Sequence, residues 1–342
     1  MPASQGGPGG KSLDPTPLMQ LSTAYWDSQT FLTANRIGLF ETLGNGPMTV
    51  ESIAAALGTK VRPTRLLVNA CVALGLVEAG PEGFRNSQLS QIFLTPDSEA
   101  YLGNAIRYSD NLYRAWGELE RSLREGVPTV ALDSYLGQDP EMTRHFVYGM
   151  HNRALAIGRA MVGLVDLSGR KQLLDVGGGP GTFSALLTAR YPGLRARVLD
   201  LPEVAVIARE ILISMQADER VDVIPGDYHS TRFPDANDVV LISGVFHRET
   251  KDACRGMIVR ARDSLDPGGL LVVCDVFTDA GGTGPLFAAL FGLNMMLSAA
   301  DGGVHADADV AGWMSEAGLQ SVEIRPCPPP MPHRLVVAEK QP

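Results

Sequence analysis

Apolar residues first recur at helical spacing, at Leu18, Leu21, Tyr25, Phe31, Leu32, Ile37 and Phe40. This predicts helix from about Leu18 to Leu43, where "GNGP" breaks it. Thr49 is placed to cap a short helix ending near Gly58, with Glu51 and Ser52 in its first turn. A second helix follows with Pro63 near its start, and "LVEAGPEGFRNS" then reads as two short strands about a turn. Helix, turn, helix and hairpin make a winged helix. From Tyr101 to about Val165 the pattern is helical again, interrupted at "REGVPT". After Arg170 strands alternate with helices. The strands are predicted at Gln172–Val176, Ala196–Leu199, Val221–Pro225, Asp238–Ser243, Leu270–Val276, Ser321–Arg325 and Arg334–Ala338. That alternation predicts a doubly wound, mostly parallel α/β sheet. The expected organisation is a disordered Gly/Pro/Ser-rich tail at 1–15 and a mostly helical winged-helix domain at 16–105. A helical connector at 106–165 and a Rossmann-like domain at 166–342 complete it.

Charge changes the reading of the winged helix. The chain carries a net charge of −9, with a pI near 5.2. Between Thr49 and Ser90 the basic residues Lys60, Arg62, Arg65 and Arg85 are largely offset by Glu51, Glu78 and Glu82. A helix that tracks phosphates needs more Lys and Arg than this, so a packing module is expected rather than a nucleic-acid reader. Cys71, Cys254, Cys274 and Cys327 show no CxxC spacing and no metal-ligand grouping, so reduced thiols in a cytoplasmic protein are expected, with no metal. No apolar run reaches membrane-spanning length, and the opening lacks the basic-then-apolar order of a signal peptide.

The chemistry-bearing stretch is "LLDVGGGPGTFSALLTARYPGLRARVLDLPEV", a strand, a glycine turn, a helix, a strand and an acid. A dinucleotide fingerprint needs glycine at its sixth position, where this chain has Thr182. What stands instead is Asp175-x-Gly177-x-Gly179-x-Gly181. A carboxylate inside the turn disfavours pyrophosphate but suits the cationic amino-acid end of S-adenosyl-L-methionine (SAM). The glycines leave room where any Cβ would block a ligand. Asp200 ends the second strand, where an acid takes the ribose hydroxyls. Asp227 follows the third strand, where it would take an adenine amino proton with Tyr228 packed on the base.

On these residues the chain resembles the SAM-dependent O-methyltransferases typified by plant caffeate and animal acetylserotonin methyltransferases. Bacteria use the same type in pigment and antibiotic pathways. "LLDVGGGPGTF" matches the family's first SAM motif, and "DLPEV", with Asp200 and Leu201, its ribose motif. "GDYHS" matches the turn that holds Gly226, Asp227 and Tyr228, and "LISGVFH" the strand end that holds Ser243. "LDPGGLLVVCDVF" and "EAGL" follow in order. The resemblance implies SAM as cofactor, a homodimer formed through the N-terminal domain, and a small-molecule acceptor. It maps the family's general base onto His247 and an orienting acid onto Asp275. An imidazole titrating near ~6.5 is largely neutral at pH 7 and is able to take a hydroxyl proton. The family's acceptor contacts map to Phe146, Met150, Phe291, Asn294 and Met295, with His151 and Trp313 as further candidates; a Met/Phe stripe of this kind also suits plain core.

Two departures keep other functions open. Relatives follow the histidine with Asp and an aromatic, where this chain has "HRET". They often carry a second acid near "ADGGVHADADV", where His305 and then Asp307 stand here. The alternatives are a SAM-binding relative with altered chemistry (C-methylation, hydroxylation or decarboxylation) and a ligand-sensing DNA-binding regulator.

Overall fold

A computed structural model describes residues 13–98, 100–130, 137 and 139–342. Most of the expected tail, residues 1–12, lies outside the described residues. The chain divides into two compact units, Met1–Glu99 and Ala100–Pro342.

In the first unit the stretch read as one helix is three: α1 (Thr16–Thr23), α2 (Tyr25–Arg36) and α3 (Leu39–Thr42). The first break is a tightened turn in which the Ala24 N–H reaches back only to Leu21 O. The second is at Gly38, whose φ of 80° leaves the helical region altogether. Then come α4 (Val50–Ala56), α5 (Val61–Ala73), the hairpin β1 (Val77–Gly80) and β2 (Gly83–Asn86), and α6 (Gln88–Phe93). Thr49 Oγ1 accepts the Ser52 N–H at 3.3 Å, which makes it the cap of α4. Leu39, Phe40, Leu43, Ile53, Val68 and Cys71 form the buried centre. Leu18, Met19, Leu21, Tyr25 and Trp26 lie on α1 and α2 and are all more than half exposed.

The second unit opens with α7 (Gly103–Gly117), α8 (Leu119–Glu125) and α9 (Pro140–Val162), the helices read as a connector. The remainder is a sheet of β3 (Gln172–Val176), β4 (Arg195–Asp200), β5 (Val221–Pro225), β6 (Asn237–Ser243), β7 (Leu265–Val276), β8 (Gln320–Pro326) and β9 (His333–Glu339). Its intervening helices are α10 (Thr182–Arg190), α11 (Pro202–Ser214), α12 (Lys251–Ser264), α13 (Leu286–Ser298) and α14 (Asp307–Glu316).

The strand order is β5-β4-β3-β6-β7-β9-β8, parallel except for β9, which runs against both neighbours. β7 starts five residues earlier than read, because "DPGG" stays paired: Gly268 N–H and Gly269 O bond to Lys340. Alternate residues fill the two faces of the sheet. Leu174, Val176, Val240, Ile242 and Val273 pack on one side. Leu173, Val239, Leu241, Val272 and Cys274 pack on the other. Both faces are therefore apolar, as a parallel sheet between helices requires. The chain moves outward from β3 to β4 and β5, then returns to β6 on the other side of β3. That reversal opens a crevice beyond the carboxyl ends of β3 and β6. No helix among the described residues is long and apolar enough to cross a membrane.

Candidate active site

The glycine turn at the end of β3 is built on left-handed backbone, with φ of 64° at Gly177, 54° at Gly179 and 72° at Gly181. A Cβ on Gly177 would also lie 2.7 Å from Val245 Cγ2. Above Gly179, by contrast, the space is open, with no atom within 4 Å of a Cβ placed there. Asp200 pins this turn from the next strand. Its Oδ2 accepts the Gly179 N–H and its Oδ1 the Leu201 N–H, each at 2.7 Å. The Gly226 N–H in turn bonds to Asp200 O at 2.8 Å. Tyr228 lies over Gly177, its ring carbons 3.5 Å from a Cβ placed there, and its hydroxyl donates to Glu249 Oε1 at 2.7 Å. Asp227 Oδ1 accepts the His229 N–H at 2.8 Å within its own turn. Ser243 ends β6, opposite Cys274.

Asp175 is wholly buried beneath the turn. Its Oδ2 accepts from Ser184 Oγ at 2.7 Å, while Oδ1 is buried without a partner. Burial pushes its carboxyl up to about 7; the Ser184 bond opposes this and the Asp200 charge adds to it. Burial also raises Asp200, against the Gly179 and Leu201 N–H bonds and the nearby Arg248 charge. A cationic group in the crevice would relieve both acids, and the orphaned Asp175 oxygen and the open space over Gly179 fit the amino-acid end of SAM.

An acid whose native value lies above its unfolded one takes up a proton on folding. Its stability share is therefore lost as pH rises from near ~4 in the unfolded chain. The ligand-free protein should lose stability through Asp175 as pH rises from about 4 to about 7, and Asp175→Asn should flatten that part of the slope in urea titrations. An unchanged slope would mean that Asp175 does not hold its proton there.

His247 lies on a short turn, Phe246–Arg248, just past β6. Its Nδ1 is 2.6 Å from Asp275 Oδ1, and its own N–H donates to Asp275 Oδ2 at 3.3 Å. Burial works to raise the Asp275 carboxyl, but the His247 charge and hydrogen bond, with the Val276 N–H, outweigh it and hold the acid below its ordinary value. An ionised Asp275 makes Nδ1 the donor, which leaves Nε2 with its lone pair. Phe291 on α13 sets its ring edge-on to the imidazole, with centroids 5.0 Å apart.

The departures in sequence have structural duties. Thr250 caps α12, accepting the Ala253 N–H at 3.1 Å, and Glu249 receives Tyr228 and faces His229. His305 Nε2 sits 3.0 Å from both Phe246 O and Glu249 O, so it clasps the turn that carries His247 from behind. Asp307 is paired with Arg334. Neither is a partner of the His247 ring.

The acceptor candidates divide. Phe146 packs edge-on to Tyr108 at 5.3 Å, and Met150 lies one turn further along α9. Asn294 Oδ1 is occupied by Trp116 Nε1 at 2.9 Å, tying α13 to α7. Met295 is buried, its carbonyl tight against Gly302. Trp313 is corrected to core: it is buried in the cluster under the sheet, between His305 and Arg255. His151 Nδ1 lies 2.8 Å from Thr182 Oγ1, on the glycine-turn side. Ser184, Glu249, Arg153 and His333 were not singled out in the sequence. Only Arg153 left a periodic sign there, seven residues after Phe146 on one helix face.

Known proteins resemble this chain in sequence and fold. The model of the O-methyltransferase domain matches residues 116–320 and that of the O-methyltransferase dimerisation domain residues 19–96. The chain is 30% identical over 313 residues to the 3-hydroxy-5-methyl-1-naphthoate 3-O-methyltransferase of Streptomyces sahachiroi, covering 90% of each chain. It is 31% identical over 337 residues to the acetylserotonin O-methyltransferase of Rattus norvegicus, covering 95% of this chain and 77% of that one. The structure of human N-acetylserotonin methyltransferase in complex with SAM superposes with a TM-score of 0.87 at 26% identity, over 98% of this chain and 100% of that one.

Proposed function

The chain belongs to the SAM-dependent O-methyltransferase family, and we propose that it methylates a hydroxyl of an aromatic or polyketide-like metabolite with His247 as general base. The observation that carries this reading is the His247–Asp275 pair at 2.6 Å, beside the glycine turn and the strand-end acids of one crevice. SAM, when bound, supplies an electrophilic methyl group. Asp175, the turn from Gly177 to Gly181, Asp200 with Leu201, and Gly226 to Tyr228 with Ser243 would hold it. Asp175 would meet its ammonium, and Asp200 its ribose hydroxyls. His247 Nε2 takes the proton of the acceptor hydroxyl, and Asp275 holds the ring in that tautomer and stabilises the imidazolium that forms. Phe146, Met150 and Phe291 offer apolar walls for a flat acceptor. The substrate named for the Streptomyces relative is a hydroxynaphthoate, an acceptor of that shape. Labelled SAM offered with a panel of phenols, naphthols and hydroxyanthraquinones tests the reading. Label should appear on a hydroxyl oxygen, and label on carbon, or none on any acceptor, would overturn it.

The same reading makes the protein a homodimer. Leu18, Leu21, Tyr25 and Trp26 expose an apolar stripe that a second copy would cover. Light scattering at micromolar concentration should give twice the 36.6 kDa chain mass, and a mass of one chain would refute it.

A further inference from the structure

α9 carries a second, unassigned group on the face of Phe146 and Met150. Arg153 lies seven residues beyond Phe146, two helical turns along the same stripe. Its guanidinium sits over the Tyr108 ring, 5.1 Å from the centroid. One Nη donates to Ser109 Oγ at 2.8 Å and to Ala105 O at 3.3 Å. All of these partners are neutral, and among the described residues no carboxylate stands within ion-pair distance of Arg153. Burial works against its charge. A partly buried cation of this kind normally has an acid beside it.

His333 lies on β9 beside the Asp275 end of β7. It faces Val276 across β7 and β9, and its Nδ1 is buried without a partner. Burial lowers its basicity first; the Asp275 charge opposes this, and the charges of His247 and Arg153 add to it. Asp275 is the acid of this neighbourhood, and it is already taken by His247 and the Val276 N–H. A missing anion answers the uncompensated guanidinium, whose partners Tyr108, Ser109 and Ala105 are all neutral.

We propose that Arg153 reads a carboxylate on the methyl acceptor, so that the preferred substrates are hydroxy-aryl acids rather than neutral phenols. This rests on the O-methyltransferase reading for the place of the acceptor, and names its chemical class. A guanidinium suits a planar carboxylate, because two N–H groups meet two oxygens at once. An ester of the same ring keeps the shape and loses the charge.

The test uses the full-length protein saturated with S-adenosylhomocysteine, with 3-hydroxy-2-naphthoate and its methyl ester as probes in titration calorimetry. The acid should bind about 10- to 100-fold more tightly than the ester, the range of a charged hydrogen bond. Arg153→Met should remove that preference while leaving the ester within about twofold, and Arg153→Lys should keep part of it. Unchanged S-adenosylhomocysteine affinity shows that the variants are folded. If the Met variant is not folded, the acid–ester ratio of the natural protein and its fall in Arg153→Lys decide. Equal binding of acid and ester by the natural protein, or equal losses of both in the variant, would overturn the proposal. Because binding is read without turnover, the two readings fail separately. Acid-selective binding with no methyl transfer to any hydroxyl would sink only the enzymatic one, and equal binding and methylation of acid and ester only this one.

Discussion

Replacing His247 by alanine is expected to lower single-turnover methyl transfer by about 10²- to 10⁴-fold, the usual contribution of a positioned base. Affinity for S-adenosylhomocysteine should stay nearly intact, since His247 bonds to Asp275 and to none of Asp175, Asp200 and Asp227. The remaining rate comes from alignment of the reacting groups, which needs no base. Asp275 acts only through the base it orients. Its carboxyl is held below the ordinary range, so its stability share is present above the unfolded value near ~3.9 and lost only as pH falls through the lower native one. Asp275→Asn should therefore leave an ionisable base with a weaker orientation, and a smaller loss than His247→Ala. Full activity in the alanine variant would remove His247 from the reaction.

Removing the Asp200 carboxylate should weaken binding of SAM and S-adenosylhomocysteine by about 1–3 kcal/mol, which is about 5- to 150-fold in Kd. Two losses contribute. The ribose hydroxyls lose their acceptor, and the Gly179 and Leu201 N–H groups lose the oxygens that hold them at 2.7 Å. Asp200→Asn separates them, because its amide oxygen keeps one of those bonds while the charge is gone. Titration calorimetry with S-adenosylhomocysteine reads both variants, with thermal unfolding as the folding control. Unchanged affinity in Asp200→Ala would take Asp200 out of the cofactor site.

Both sites show how far local pattern reaches. Short apolar runs bounded by turn residues match β3 and β5 to the residue: β3, buried on both faces, is a nearly continuous run, and β5, at the sheet edge, alternates at Val221 and Val223. Thr49 as a cap, and the glycines whose left-handed backbone makes the turn at Gly177–Gly181, were equally readable. Backbone preference and periodicity act over a few residues, so a few residues carry them. Gly38 was missed as a helix break because one glycine inside an apolar stripe leaves the stripe intact.

What joins distant segments was not readable from spacing. Asp200 holds Gly179 across 21 residues, His247 meets Asp275 across 28, and His305 clasps the Phe246–Glu249 turn across more than 50. Register decides such meetings. Ser243 lies opposite Cys274, so the ends of β6 and β7 come level and Asp275 arrives beside the turn that bears His247. Trp313 went to the core and Asn294 to Trp116 for the same reason. Local pattern carried the strands, the glycine turn and which residue types could act. Only the folded chain shows which acids are paired, which stay buried with a free oxygen, and that no acid among the described residues stands within ion-pair distance of Arg153. Pairing and burial depend on what every other segment brings to the same point in space.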